Sequence, residues 1–383
     1  MMRVYFDNAA TTPVDKAVVE AMLPYLTEHF GNPSSIHSFG SKVRAAIEQS
    51  RKKVAALLNT SPSEIFFTSG GTESDNTAIR CCIQTHGITH AISSPIEHHA
   101  VSHTLEELAH KGQIKLSMVK LDGKGNVDLE HLEELLQKNP RSLVSLMHGN
   151  NEIGNLLDID AVGEICEKYN TIFHSDTVQT VGHFSLDLQK TKVHFIAGAA
   201  HKFHGVKGTG FLYMSNDAKV QPFITGGSQE RNMRGGTENV AGIIALAKAL
   251  EISVAEMEEH RKHILGVKAY MIQRLKETFT DIRFNGESAN LDKSLYTVLN
   301  VSLPPSDDND MLLFNLDIHK IAASGGSACS SGSSVGSHVL AAVGAEKGRG
   351  NVRFSFSKYN TKEEVDYTIE ALAKIFQLKR ENA

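Results

Sequence analysis

The spacing of apolar and polar positions changes repeatedly along this chain, and the changes predict an alternation of helices and strands. Residues 13–28 and 41–58 repeat apolar positions three and four apart, the period of a helix with one buried face. Glu64-Ile65-Phe66-Phe67-Thr68 is short and strand-like. Helical spacing returns over 72–84, 100–111, 129–138 and 159–169, and strand-like runs fall at 90–93, 114–120, 143–147 and 171–174. Such alternation predicts an α/β fold built on a mostly parallel sheet covered on both faces, with ligands at the carboxyl ends of its strands. Residues 239–279 are helical throughout and read as two helices meeting near Gly266. Strands at 282–285 and 297–303, a loop at 304–309, a helix at 310–316, a strand at 351–357 and a helix at 362–379 complete the chain. The shift to an α+β pattern places a domain boundary near residue 258. No internal repeat is visible, and the glycine- and serine-rich run 324–334 reads as a mobile loop rather than a linker.

Composition narrows the field. A chain of 383 residues with 41% hydrophobic and 22% charged residues is ordinary for a soluble globular protein with a large core. A formal charge of -5 gives no sign of a nucleic-acid or anionic-membrane partner. No apolar run approaches the roughly 20 residues that span a bilayer. The first residues lack the apolar core of a secretion signal, so a cytoplasmic protein is expected. Four cysteines make no disulfide framework; Cys81, Cys82 and Cys166 lie in helical patterns and read as small core residues. The 19 histidines raise the question of zinc. Glu97-His98-His99 with His103 offers one i,i+4 pair, without cysteine partners or H-E-x-x-H order, and no metal site is expected.

The chemistry concentrates at strand ends. The apolar run Val193 to Ala197 leads into Ala199-Ala200-His201-Lys202-Phe203-His204-Gly205-Val206-Lys207-Gly208. A lysine leaving a buried strand beside a histidine is poorly solvated, which favours the neutral amine that attacks aldehydes. Pyridoxal phosphate (PLP) enzymes need such a lysine, and an acid to hold the pyridinium proton. A surface lysine in a glycine loop accounts for this segment equally well. Thr68 to Asn76 joins a strand to a helix through Gly70-Gly71, and free N–H groups at a helix start can hold a phosphate. It is neither a P-loop nor a G-x-G-x-x-G motif, and helix capping by Thr72 is the plain alternative. Asp176 ends an apolar strand, where a pyridinium nitrogen would be its partner; an N-cap for the next helix is the other reading. Asn150 to Gly154 offers amides to a ring hydroxyl, and His98 offers an imidazole to stack on a flat ring, though both also fit plain loops. Cys329 lies among glycine and serine, a setting for a nucleophile that travels, or for an incidental thiol. Arg353 is a candidate clamp for a carboxylate, or half of an ordinary salt bridge.

Taken together these residues resemble one family. Asp7-Asn8-Ala9-Ala10-Thr11-Thr12-Pro13, Gly31-Asn32-Pro33-Ser34-Ser35, Ser69 to Asn76, Asn150 to Gly154, His201-Lys202, Arg234-Gly235-Gly236-Thr237-Glu238-Asn239 and Ser327-Ala328-Cys329 follow the order seen in cysteine desulfurases. The match runs from about residue 4 to residue 375, and the cysteine loop is similar to that of the NifS and IscS type. The resemblance implies the PLP-dependent transferase fold type I, that of aspartate aminotransferase, in a homodimer. Its parts would be an N-terminal segment 1–14 packing with the small domain, a large PLP-binding domain 15–257, and a small domain 258–383 carrying the cysteine loop.

The resemblance also implies roles. Lys202 would be the Schiff-base lysine, Asp176 the partner of the ring nitrogen, and His98 the stacking and proton-shuttling residue. Asn151 and Gln179 would bond the ring hydroxyl; Gly71, Thr72 and His201 would hold the phosphate, with Thr237 from the other subunit. Arg353 would clamp the substrate carboxylate, helped by Asn32, with Asn151 beside it. Cys329 would take the sulfur of L-cysteine as a persulfide, leaving alanine, and pass it to an acceptor or an iron–sulfur scaffold protein. Three positions depart from the pattern: Ala199 replaces a phosphate-binding serine, Val206 a proline, and Gly336 a proline after the loop. A PLP lyase acting on selenocysteine is the alternative within enzymes, and it gives Cys329 no evident task. A catalytically silent scaffold has no reason to keep Lys202, Asp176, His98, Cys329 and Arg353, and a nucleotide-binding enzyme lacks a fingerprint.

Overall fold

The computed structural model describes residues 2–306, 309–325 and 336–377. The chain opens with β1 (Val4–Tyr5), α1 (Lys16–Met22), α2 (Pro24–Thr27) and α3 (Ser38–Leu57). The alternation follows as β2 (Ile65–Thr68), α4 (Gly71–His86), β3 (His90–Ser93), α5 (His99–His110), β4 (Lys115–Met118), α6 (Leu129–Lys138), β5 (Leu143–Ser145), α7 (Ile159–Lys168), β6 (Ile172–Asp176), β7 (Phe195–Ala199) and β8 (Gly210–Met214). Two helices, α8 (Val240–Ala255) and α9 (Met257–Thr278), precede β9 (Arg283–Phe284), β10 (Val298–Pro305), α10 (Leu312–Ile318), β11 (Ile321–Ala322), α11 (His338–Ala342), β12 (Arg349–Ser355) and α12 (Lys362–Ile375).

Seven strands form one sheet in the order β2-β8-β7-β6-β5-β3-β4, and only β8 runs antiparallel to its neighbours. This is the mixed, mostly parallel sheet of fold type I. Its central strands are buried on both faces, which is why they read as apolar runs rather than alternating ones. Val54, Phe173, Phe211 and Leu246 belong to the cluster on one face, and Ile79, Leu105, Phe195 and Leu212 to the cluster on the other. A separate cluster around Phe6, Val267, Leu299, Phe354 and Leu372 packs α9 and α12 on the antiparallel sheet β12-β10-β9. The first residues join that second unit: Val4 pairs with Ile321, and Asp7 bridges to Ser355.

Several expectations change. The helix expected over 13–28 is two, because Pro24 cannot donate into the preceding turn and instead starts α2. The long helical stretch breaks at Glu256, not near Gly266. Glu256 leaves helical geometry (φ −106°, ψ 13°), whereas Gly266 sits inside α9 with open space around it. Pro304 and Pro305, expected in a loop, end β10 beyond a register irregularity after Leu303, where a missing donor is tolerated. The helix expected at 310–316 starts at Leu312, after a single tighter turn over Asn309–Met311, and runs to Ile318. The reading had no place for β1, β8, β11 or α11. No described helix is long and apolar enough to cross a membrane.

Candidate active site

Strands β6 and β7 run side by side, with Asp176 opposite Ala197, so Asp176 and the turn after Ala199 reach the same sheet edge. That turn, Ala200–Lys202, is a single tight helical turn that presents Lys202. The segment 9–15 fastens onto it: Thr12 N and Oγ1 donate to the His201 carbonyl (2.9 and 3.0 Å), and Asp15 N donates to that of His204 (3.0 Å). The half-buried Lys202 side chain was expected in poorly solvating surroundings; its Nζ instead donates to the carbonyls of Ala9 (2.6 Å) and Ala10 (2.9 Å).

A cavity of about 200 Å³ opens at this edge, lined by Lys202, Asp176, His98, Gly71, Thr72 and His201. Asn151, Gln179 and Arg353 also line it. Gly71 is the first residue of α4, and no side chain caps that helix, so the capping alternative for Thr72 falls away. Its opening N–H groups face the cavity edge as a ready anion cradle. His98 is the N-cap of α5, its Nδ1 accepting from Ala100 N (3.1 Å), which fixes the ring at the cavity wall. Gln179 Nε2 donates to the Ala9 carbonyl (3.1 Å), and Asn151 gives its carbonyl to Arg353 Nη1 (3.0 Å).

The electrostatics are unusual. Asp176 is 5% exposed and accepts from Val178 N (2.9 Å). Burial raises its pKa, while His98 and Lys202 oppose the rise. Asp75, one turn into α4, also lines the cavity, and burial with the nearby charges of Asp176 and Glu97 pushes its pKa well up. Its Oδ1 faces His174 Nε2 at 3.3 Å, yet neither atom has a partner in hydrogen-bonding geometry. Burial drives His174 down to about 3, so its imidazole is neutral and the contact with Asp75 is not an ion pair. Burial lifts Glu97 to about 8. It lowers His201 to about 4, helped by Lys202 and Lys207, so His201 is neutral at physiological pH. A buried carboxyl whose pKa burial raises is what a pyridinium would relieve, and the amine, imidazole and helix start lining the same cavity match the cofactor's other groups. These residues fit PLP.

The model of the family "Aminotransferase class-V" matches residues 4–368. The chain belongs to that family. Relatives within it carry the name cysteine desulfurase. "Cysteine desulfurase IscS" of Dictyoglomus turgidum is 42% identical over 382 residues, 98% of this chain and 95% of the relative. The protein of the same name from Methanosarcina thermophila is 41% identical over 98% of this chain and 93% of its own. Among solved structures, a NifS-like protein superposes with a TM-score of 0.90 at 38% identity, covering 99% of this chain and all (100%) of that one. The NifS-like protein of Rickettsia africae gives 0.87 at 30% identity over 98% and 100%.

Thr237, expected to serve the other subunit's site, and Asn32 are not among the residues lining the cavity. Thr237 lines a separate one with Ser69, Arg234 and Glu238. Asn32 is exposed, its Oδ1 accepting from Ser34 N (2.9 Å) in the turn before α3. Cys329 and the run 326–335 lie outside the described residues. The other cysteines are buried, with thiols pushed up by burial to about 11 for Cys81 and about 12 for Cys82 and Cys166, so none supplies a thiolate. Ala199 does line the cavity, without a hydroxyl. Sequence reasoning missed Asp75 and Glu97. Asp75 stands four residues after Gly71 on one helix face, and Glu97 directly precedes His98, so spacing alone could have flagged both.

Proposed function

We propose that this protein is a PLP-dependent cysteine desulfurase that converts L-cysteine to L-alanine and carries the sulfur away as a persulfide on Cys329. The observation that carries the reading is the convergence of Lys202, Asp176, His98 and the open start of α4 on one cavity that also holds Arg353. The relatives' names support the substrate.

When bound, PLP supplies an electron sink for the amino acid's Cα. Lys202 would provide the amine that anchors it and a base at the same place. Asp176 would hold the ring nitrogen's proton, and His98 would stack on the ring and exchange protons with the substrate. Gly71, Thr72 and neutral His201 would hold the phosphate, and Asn151 and Gln179 would orient the ring edge. Arg353 receives the substrate carboxylate. The balance of the sulfur step is simple. The substrate Cβ–S bond breaks and a new S–S bond forms at Cys329, with cysteine plus thiol giving alanine plus persulfide and no outside oxidant.

We further propose a homodimer in which Thr237 completes the partner's phosphate site, a cytoplasmic location, and a protein acceptor serving iron–sulfur assembly or thiolation. The division at about residue 258 belongs to the same reading. The test is a single turnover with L-cysteine followed by intact-mass analysis. One extra sulfur on the wild type, none on Cys329→Ala, and alanine only from the wild type are expected. Equal alanine from both proteins would refute Cys329 as the acceptor.

A further inference from the structure

Arg353 does not meet the cavity unengaged. Its side chain is 1% exposed, Nη2 donates to Asp7 Oδ1 (2.7 Å), and Nη1 donates to the Asn151 carbonyl (3.0 Å). Its Nε is buried and has no hydrogen-bond partner. A guanidinium has five donors in a rigid fork and binds a carboxylate through two of them. Two are committed here, one stands orphaned, and the cation is already paired with a carboxylate.

The same Asp7 oxygen accepts from Ser324 Oγ (2.8 Å). Ser324 is tied to Arg353 through the backbone as well, Arg353 N donating to its carbonyl (2.6 Å) and Ser324 N to that of Arg353 (3.3 Å). Ser324 lies five residues before Cys329, in the chain that leads into the cysteine loop. Asp7 itself is held by its place in the fold, bridging to Ser355 beside β12. Three segments far apart in sequence thus meet at one carboxylate oxygen.

We propose that Asp7 is a positioning residue for the carboxylate clamp: it aims the Arg353 guanidinium and weakens the incoming substrate carboxylate's binding through its own charge. This rests on the desulfurase reading above and deepens it. Two carboxylates sharing one guanidinium repel each other, so an amino acid gains less from Arg353 than it would without Asp7, and product release benefits in the same measure. The contact with Ser324 lets the same oxygen anchor the chain entering the loop.

The test is calorimetric titration of the PLP-loaded protein with L-alanine and with L-alaninamide, which lacks the carboxylate. Asp7→Asn keeps an acceptor oxygen and removes the charge. It is expected to bind L-alanine about three- to tenfold more tightly than the wild type, with the amide unchanged. Asp7→Ala removes the aim as well; it should bind L-alanine more weakly than Asp7→Asn and raise hydrogen exchange over 321–325, which Asp7→Asn leaves protected. If Asp7→Asn shifts acid and amide equally, or neither, the proposal is overturned, because a merely structural role does not distinguish them. Unchanged exchange in Asp7→Ala overturns the anchoring of Ser324. A PLP-loaded wild type that binds neither ligand overturns the desulfurase reading along with it.

Discussion

The buried pair Arg51–Glu230 offers a sharp test of how the site is supported. Arg51 in α3 and Glu230, in the tight turn before Arg234, have side chains 3% and 2% exposed. Their contact is bidentate, Nη1 to Oε2 at 2.7 Å and Nη2 to Oε1 at 2.9 Å. Glu230 Oε2 also accepts from Phe67 N (2.8 Å) at the strand that leads to the α4 turn. Burial works against the Arg51 charge, and Glu230 more than compensates, so its pKa is raised. Glu230→Ala strands that charge with the half-exposed Glu48 as its remaining ion-pair partner among the described residues. Breaking such a pair from one side costs about 3–5 kcal/mol, and the orphaned Phe67 N–H adds about 1–3 kcal/mol. Residues 230, 231 and 232 hold φ of 44°, 56° and 67°, and relaxation of that strained turn returns part of the cost. A net loss of about 4 kcal/mol is therefore expected. With no tryptophan in the chain, urea unfolding is best followed by far-UV circular dichroism. Arg51→Met/Glu230→Leu should recover to within about 2 kcal/mol of the wild type. A Glu230→Ala protein within about 1 kcal/mol of the wild type would refute the reasoning.

Other predictions follow from single groups. Ala199→Ser restores a hydroxyl at the cavity wall and should tighten PLP about fivefold, the worth of one neutral hydrogen bond; an unchanged equilibrium titration would contradict this. Lys268 is buried, its Nζ donating to Ser294 Oγ (2.8 Å) and the Leu295 carbonyl (2.7 Å), and burial pushes it down to about 7 from 10.5. Because the folded value is the lower one, the penalty is full below about pH 7 and fades towards pH 10.5. Wild-type stability should accordingly rise relative to Lys268→Met across that window, by up to about 1.4 kcal/mol per pH unit. Parallel pH profiles would count against it.

Much of the site was legible because its chemistry sits at strand ends. Val193 to Ala197 and Thr171 to Asp176 announce buried strands, and a lysine and an acid just beyond them must meet at one edge if the strands are parallel neighbours. Strand β8 was not legible. Gly210 to Met214 is uniformly apolar, so its pattern carries neither direction nor partner, and antiparallel insertion between β2 and β7 is decided by packing. Gly266 misled because an exposed glycine inside a long helix costs only about 1 kcal/mol, too little to end it, while Glu256 gives no sequence signal for a break. The engagement of Arg353 by Asp7 joins residues 346 apart, and no local pattern foretells it. Asp75 facing His174 likewise depends on how α4 lies across β6.

The most direct measurement is the visible spectrum of the PLP-loaded protein before and after L-cysteine, with alanine assayed alongside and Lys202→Ala as the control. The account predicts a cofactor band that depends on Lys202, changes on adding L-cysteine, and is accompanied by alanine release. A colourless protein that added PLP does not reconstitute, or a coloured one that yields no alanine, would contradict it.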